Sequence, residues 1–384
     1  MATPSGGMDG TLFRYDPLRN LVAFVSFPPP LTASDASSSP GDASAVAGAA
    51  AGAVAADSAA ASPPGVSAYL ILLGGLTDGL LPTPYTPALA AAVGVTHRVA
   101  TVQATLRSSY TGYGVASLAT DAEDIAALVA HLAAMGHPSG GKGEGGGGGG
   151  PAPLPLPVFI LGHSTGCQSA VTYARGDPVQ PPAGVILQAP VSDRQSRSMD
   201  GATAPRLAAA IALIRAGRGR ELLPRLAGGP AGESGAAVGD HSGGFGVERL
   251  DGGTPMTADR FFSLAGAAAD GAADDLFSTD MDARALAAGG LGALAPLPVL
   301  VLWSAADEYA GPSAKDWAPP GGTMPARLID AMGGDAPGAT KRVVVLAGAD
   351  HAVSGATATA ELVAEVVAFV GQVLEEGAGR DART

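Results

Sequence analysis

The sequence predicts an α/β protein in which a mostly parallel central sheet is covered by helices on both faces. Two observations favour this fold class. Short apolar runs rich in β-branched residues alternate along the chain with segments whose apolar residues recur at helical spacing, a pattern typical of parallel sheets with helical crossovers. In addition, the motif Gly-His-Ser-Thr-Gly at residues 162–166 joins one such run directly to a predicted helix.

The predicted strands are short apolar runs bounded by turn residues. The first two form a strand pair joined by the turn dipeptide Asp16-Pro17. The run that enters the motif is five apolar residues long, which indicates a short buried strand. Strands are expected at residues 11–15, 21–27, 67–73, 97–106, 157–161, 185–187, 297–303 and 342–346.

The predicted helices carry apolar residues three and four positions apart. In the clearest of them, Ile125, Leu128 and Leu132 lie on one face. Asp121 stands at the N-terminal end of this helix, where a negative charge is favourable. Helices are expected at residues 86–93, 121–135, 168–175, 204–216, 219–226, 257–265, 325–332 and 357–375.

Three segments interrupt this single domain of residues 1–384. Residues 32–64 are rich in Ala, Ser, Gly and Pro, so they cannot bury enough surface to offset their conformational entropy, and we predict a disordered insertion. Residues 140–150 are almost entirely glycine and are predicted to be a flexible linker. Between residues 195 and 291 the regular alternation stops, which we interpret as a lid or cap above the strand ends.

The composition disfavours several functional classes. A formal charge of −13 and a pI near 4.8 argue against nucleic acid or an anionic membrane as a partner, because both require a basic surface. A single cysteine rules out an internal disulfide framework and a cysteine-only metal site. We predict no secretory signal and no membrane span, since the most apolar stretch, near residues 44–61, is only weakly hydrophobic. A cytoplasmic location is favoured, and the oligomeric state is left open.

The motif at residues 162–166 also has a chemical interpretation. A Gly-x-Ser-x-Gly sequence between a strand and a helix is typical of the nucleophile elbow, a strained turn that presents a serine hydroxyl at the end of a sheet. Both flanking elements are predicted here. We therefore predict that Ser164 is a nucleophile, and an ordinary Gly-rich turn is the alternative.

A serine nucleophile needs a base and a carboxylate that orients the base. In α/β-hydrolases these residues follow in the order Ser, Asp or Glu, His. Asp307 and His351 each come just after a predicted strand late in the chain, and they are the predicted acid and general base. Asp193, after the strand that follows the elbow helix, is the alternative acid.

The tetrahedral intermediate of acyl transfer also needs two N–H donors for its oxyanion. The backbone amide of Thr165, directly after the nucleophile, is the first candidate. The backbone amide of Leu76, in the Gly-rich turn after the strand at residues 67–73, is the second.

No metal or cofactor is expected, because the acidic residues of the predicted lid lack the spacing of a metal-binding loop. A small-molecule ester is the expected partner. A polar loop after the strand at residues 97–106 is predicted to contact this substrate through Ser108, Ser109, Tyr110 and Tyr113.

Several motifs together resemble one known family. They are the sequences LLGGLTDG at residues 72–79, SSYTGYG at 108–114, GHSTGCQ at 162–168, QAPVSDR at 188–194 and ADEY at 306–309. The family is a little-characterised group of eukaryotic α/β-hydrolases from fungi and plants that includes the fungal fusarinine-type siderophore esterase. The resemblance implies an α/β-hydrolase fold, an ester-hydrolysing activity, and a triad of Ser164, Asp307 and His351.

The function expected from the sequence is therefore that of a soluble, cofactor-free serine hydrolase that cleaves a carboxylic ester through an acyl-enzyme intermediate. Two alternatives are retained. One is a catalytically inactive hydrolase-like protein that binds a ligand or a partner. The other is an acyltransferase that uses the same triad.

Overall fold

The computed structural model of the protein describes residues 8–30, 65–135, 155–224, 254–310, 323–334 and 340–381. The predicted insertion at residues 32–64 and the predicted glycine linker at residues 140–150 lie outside the described residues. Residues 225–253, in the middle of the predicted lid, lie outside them as well.

Eight strands form a single sheet in the described part of the chain. They are β1 (Thr11–Asp16), β2 (Leu21–Ser26), β3 (Ala68–Leu73), β4 (Val99–Ala104), β5 (Val158–His163), β6 (Gly184–Gln188), β7 (Val299–Ser304) and β8 (Lys341–Leu346). Their order across the sheet is β1-β2-β4-β3-β5-β6-β7-β8. The pairs β1–β2 and β2–β4 are antiparallel, and all other neighbours are parallel. The prediction of a mostly parallel sheet is confirmed.

Nine α-helices accompany the sheet within the same residue ranges. They are α1 (Thr86–His97), α2 (Leu118–Met135), α3 (Thr165–Arg175), α4 (Asp193–Ser198), α5 (Thr203–Arg215), α6 (Ala258–Ala265), α7 (Ala283–Gly289), α8 (Met324–Ala331) and α9 (Ala356–Asp381). Seven of them correspond to predicted helices, whereas α4 and α7 are short and were not predicted.

One predicted helix, at residues 219–226, is wrong over its described part, residues 219–224. The backbone of this segment bonds to a distant stretch of chain instead of to itself. Leu223 donates its N–H to the carbonyl of Met256 at 2.8 Å, and Asp259 donates to the carbonyl of Gly219 at 2.8 Å. Pairing with the residues before and at the start of α6 has overridden the local helix propensity.

The central strands β3 to β7 bury both of their faces. Along β3, Ile71 and Leu73 belong to the core shared with α2 and α3, whereas Leu70 and Leu72 belong to the core shared with α1 and α9. Successive side chains point to opposite faces of a strand, so each apolar residue of β3 is covered by helices on one side or the other. Burial of each such side chain contributes about 1.5–3 kcal/mol.

A smaller core lies beyond this sheet and connects α5 with α6. Ala210, Phe261 and Tyr113 pack together there. Arg260 of α6 donates from Nη1 to Oδ2 of Asp274 at 2.7 Å, and both side chains are buried. A buried cation is tolerated only with such a partner, so this ion pair ties α6 to the chain that follows it.

The second half of the predicted lid contributes residues to the main core of the sheet. Leu276, Leu286 and Leu291 belong to the main core on the α2–α3 side of the sheet. The bounds of the lid, residues 195–291, remain a prediction.

Helix α9 is long and apolar. Its segment Ala356–Gly379 has a mean hydropathy of 1.5 and is 39% buried, so by length and composition alone it could cross a membrane. Leu362, Val366 and Phe369 pack against the sheet. This packing is that of a core helix.

Candidate active site

The carboxyl ends of the parallel strands meet at one edge of the sheet, and Ser164 stands there between β5 and α3. Its backbone has φ 55° and ψ −124°, a conformation that L-residues rarely adopt. The Ser164 N–H donates to the carbonyl of Gln188 at 3.0 Å, and the Ser164 carbonyl accepts from the N–H of Cys167 at 2.9 Å. The turn is therefore strained, and its neighbours hold it.

Two glycines allow the chain to approach this turn closely. A Cβ atom on Gly166 would lie 2.7 Å from the carbonyl oxygen of Gly74, and a Cβ atom on Gly75 would lie 2.8 Å from Cβ of Ser164. Either contact would force the backbone to move. The small residues of the two sequence motifs are thus required by the packing of β3 against α3.

An acid–base pair lies at the ends of β7 and β8. Asp307 Oδ2 accepts a hydrogen bond from Nδ1 of His351 at 2.8 Å, and Asp307 Oδ1 accepts from the N–H of Tyr309 at 2.9 Å. The side chain of Glu308 accepts from the backbone N–H of His351 at 3.0 Å. Adjacent acidic residues therefore hold the ring and the backbone of the same histidine.

The surroundings of His351 change its basicity. Burial lowers the pKa of the ring, but the hydrogen bond and the negative charge of Asp307, helped by Glu308 and Asp193, outweigh burial and raise the pKa above its ordinary value of 6.5. Because Asp307 accepts the proton on Nδ1, the neutral ring has an unprotonated Nε2. This is the atom that a general base uses.

Ser164 and His351 line one cavity of about 110 Å³, together with Leu76, Asp193 and Arg197. No hydrogen bond joins the Ser164 hydroxyl to the imidazole ring in this structure. Catalytic hydrogen bonds are often long before substrate binds. The predicted nucleophile and the predicted base therefore both face this cavity.

Of the two predicted oxyanion donors, Leu76 lines this cavity, and Thr165 lines a second, smaller cavity that Leu76 also lines. The loop that carries Leu76 is shaped by Asp78, whose Oδ2 accepts from the N–H of Gly75 at 2.7 Å. Thr165 is the first residue of α3, where backbone N–H groups carry partial positive charge. Neither the Leu76 nor the Thr165 amide donates to an acceptor among the residues that the structure describes. Their role as oxyanion donors remains a prediction.

The alternative acid, Asp193, lines the same cavity but has different partners. It accepts from Nε2 of Gln168 at 2.8 Å and lies 3.4 Å from Oγ1 of Thr165. Burial, and next the charge of Asp274, raise the pKa of Asp193 to about 6. The structure thus brings Asp307 to the histidine ring and directs Asp193 to α3.

The four predicted substrate-contacting residues do not line the cavity of Ser164. Ser108 and Ser109 line a smaller neighbouring cavity of about 20 Å³, beside Asp121. Tyr113 lines the same small cavity and packs in the core between α5 and α6, and Tyr110 is 55% exposed. Their contact with a substrate remains a prediction.

Sequence reasoning did not identify two residues at this site. Gln188 touches both Ser164 and His351, and Glu308 binds the backbone of His351. The only available signal was their position, since Gln188 directly follows a predicted strand and Glu308 lies in the loop after another. Among the described residues, no group of three or more His, Cys, Asp or Glu side chains is arranged to hold a metal ion.

Comparison of the sequence with known proteins identifies its family. The family model described as "Protein of unknown function (DUF1749)" matches residues 50–371. The UPF0613 protein PB24D3.06c of Schizosaccharomyces pombe is 29% identical over 259 residues, which is 64% of this chain and 69% of that protein.

Two solved structures are similar over nearly the whole chain. The siderophore hydrolase EstB from Aspergillus fumigatus has a TM-score of 0.63 and 23% identity, with 97% of this chain and 100% of that chain covered. A soluble variant of monoglyceride lipase from Saccharomyces cerevisiae has a TM-score of 0.50 and 10% identity, with 95% and 96% covered. At these identities the similarity establishes the fold. The chain belongs to the DUF1749 family and has an α/β-hydrolase fold, as the resemblance of its motifs indicated.

Proposed function

We propose that this protein is a serine hydrolase that cleaves a small-molecule carboxylic ester through an acyl-enzyme intermediate. One observation carries the proposal. A strained serine after β5 and a histidine bonded to a buried aspartate open onto one cavity at the carboxyl edge of the sheet. This is the arrangement that makes a serine hydroxyl nucleophilic.

In the proposed reaction, Ser164 Oγ attacks the ester carbonyl while His351 Nε2 takes the hydroxyl proton. Asp307 keeps the imidazole in the required tautomer and stabilises the imidazolium that forms. The oxyanion accepts hydrogen bonds from the backbone amides of Thr165 and Leu76. His351 then protonates the departing alcohol, which leaves an ester between Ser164 and the acyl group.

Water completes the cycle. It attacks the acyl carbonyl while His351 takes one of its protons, and collapse of the second tetrahedral intermediate releases the acid and restores Ser164. EstB is described as a siderophore hydrolase and the yeast protein as a lipase. These descriptions support an ester as the substrate class, and the cavity volume of about 110 Å³ favours a compact ester.

Replacement of Ser164 tests the proposal. Ser164→Ala should lower kcat on an ester panel by about 10⁶-fold, since the triad acts as a unit, and should abolish labelling by a fluorophosphonate probe. Ser198→Ala, at an exposed serine at the end of α4, is the matched control and should be labelled like the wild type. Undiminished labelling of Ser164→Ala would refute the proposal, because another residue would then be the reactive nucleophile. A wild-type protein that neither reacts with the probe nor hydrolyses esters would favour a protein that binds its ligand without turnover. Acyl transfer to added alcohols in place of water would instead indicate an acyltransferase.

A further inference from the structure

We propose that Gln188 is a positioning residue that holds the nucleophile and the base of the proposed triad in a fixed relation. The inference rests on the proposed function and adds a residue to it. Gln188 is the last residue of β6, is fully buried, and lies between β5, which leads to Ser164, and β7, which leads to Asp307. It does not line the cavity that Ser164 and His351 share.

Gln188 binds both halves of the site at once. Its backbone carbonyl accepts the N–H of Ser164 at 3.0 Å. Its side-chain Nε2 donates to the backbone carbonyl of His351 at 3.0 Å. One residue therefore spans the two loops that carry the reacting side chains.

The chemistry of its partners sets the orientation of the Gln188 amide. The carbonyl of His351 can only accept, so Nε2 must face it. Oε1 then accepts from Nδ1 of His163 at 2.5 Å and from the hydroxyl of Tyr85 at 3.1 Å. The flipped amide would present an oxygen to a carbonyl oxygen, and each buried group left unpaired would cost about 1–3 kcal/mol. The amide is thus locked in one orientation.

This orientation also determines the state of His163. With its proton on Nδ1, the ring of His163 is neutral, and its centroid lies 4.8 Å from that of His351. Burial, and next the charge of His351, lower the pKa of His163 to about 3. A second positive charge consequently does not oppose the imidazolium that forms on His351 during attack.

Three hydrogen bonds then hold His351. Asp307 binds its ring, Glu308 binds its backbone N–H, and Gln188 binds its backbone carbonyl. Loss of the third contact frees the loop after β8 to shift with respect to Ser164. A displacement of about 1 Å can cost a factor of about 100 in rate.

Two substitutions at this position test the inference. Gln188→Met keeps the length of the side chain and the backbone bond to Ser164 but removes every side-chain hydrogen bond, and kcat should fall about 100-fold with little change in KM. Gln188→Glu keeps the shape but replaces the donor by a carboxylate. It should also lower kcat, and its negative charge beside His163 and His351 should move the acidic limb of the kcat/KM profile to higher pH.

Gln103→Met is the matched control. Gln103 is also buried in the sheet, on β4, and its Oε1 accepts from the N–H of Leu81 at 2.6 Å. Stability should fall in this variant as in Gln188→Met, while kcat should stay near the wild-type value. Urea denaturation of each variant distinguishes a loss of stability from a loss of kcat. If Gln188→Met does not fold, Gln188→Glu tests the inference.

The outcomes separate this inference from the proposed function. Wild-type activity with unchanged kcat and pH profile in the Gln188 variants would overturn the positioning role alone. An equal loss of kcat in Gln103→Met and Gln188→Met would also overturn it, because the effect would then be general destabilisation. A wild-type protein that neither hydrolyses esters nor reacts with the fluorophosphonate would overturn the proposed function, and the positioning role with it.

Discussion

Asp307 and Asp193 are both buried carboxylates near His351, but they bond to different partners. Asp307 binds the imidazole Nδ1, whereas Asp193 binds Gln168. In the sequence both aspartates follow a strand, so spacing alone left the acid undecided. The direction of the side chains distinguishes them, and a sequence pattern does not contain that direction.

Asp307→Asn should lower kcat by about 10⁴-fold, because an amide no longer keeps the imidazole in the required tautomer. Asp193→Asn should lower kcat far less. Since Asp307 raises the pKa of His351 and the base must be neutral to act, activity should rise with pH through that pKa. In Asp307→Asn this acidic limb should move to lower pH. Measurement of kcat for both variants from pH 5 to pH 9 tests these expectations. A larger loss of kcat in Asp193→Asn would instead make Asp193 the acid that orients His351.

Single residues thus differ in how far they could be predicted. Ser164, Asp307 and His351 could be placed at one edge of the sheet because each follows an apolar strand in the order of the fold, and their catalytic roles remain a prediction. Gln188 and Glu308 could not be identified in this way, since their roles depend on hydrogen bonds to the backbone of a loop that is distant in sequence. Ser108 and Tyr113 were expected to contact the substrate; they line the smaller cavity beside Leu76, and their contact with a substrate remains a prediction.

At the level of elements, the elbow depends on close contact between β3 and α3. Gly166→Ala should lower the free energy of unfolding by about 1–3 kcal/mol, because its Cβ would lie 2.7 Å from the carbonyl oxygen of Gly74. Gly201→Ala, whose Cβ would have no atom within 4 Å, should be nearly neutral. Urea denaturation measures both, and equal stabilities would contradict the packing argument.

All eight predicted strands form, and in β3 to β7 the fully buried apolar runs explain this success. The errors lie between residues 193 and 291, where the chain contains few long apolar segments. Helix α4 spans six residues and begins with a Ser192 cap, which is too short for a periodic signal. The predicted helix after residue 219 was displaced by pairing with Met256, a long-range contact that local propensity does not encode.

Across the whole molecule, buried acids link stability to pH. Asp121 lies at the junction of α2, α3 and the core between α5 and α6, and Ser169 donates to it at 3.1 Å. Burial raises the pKa of Asp121 to about 6, against opposing effects of Ser108, Arg260 and Ser169. The folded protein therefore binds this proton up to about pH 6, whereas the unfolded chain releases it near the ordinary value of 3.8.

Because the folded state binds more protons between these two pKa values, the contribution of Asp121 to the free energy of unfolding should fall as pH rises from about 4 to 6. Between pH 5 and pH 8 the free energy of unfolding of the Asp121→Asn variant should decrease by about 1–2 kcal/mol less than that of the wild type. Urea denaturation of both proteins across this range tests the expectation. Parallel stability curves for wild type and variant would contradict it.

The order of the strands has a consequence for inactivation by heat. Ser164 follows β5, which has a neighbour on each side, but His351 follows β8, which lies at the border of the sheet and pairs with β7 alone among the described strands. Border strands fray at a lower free-energy cost than central ones. In the proposed enzyme, heating would therefore displace His351 while Ser164 stays in place. Catalytic activity should be lost at a lower temperature than the one at which the whole protein unfolds.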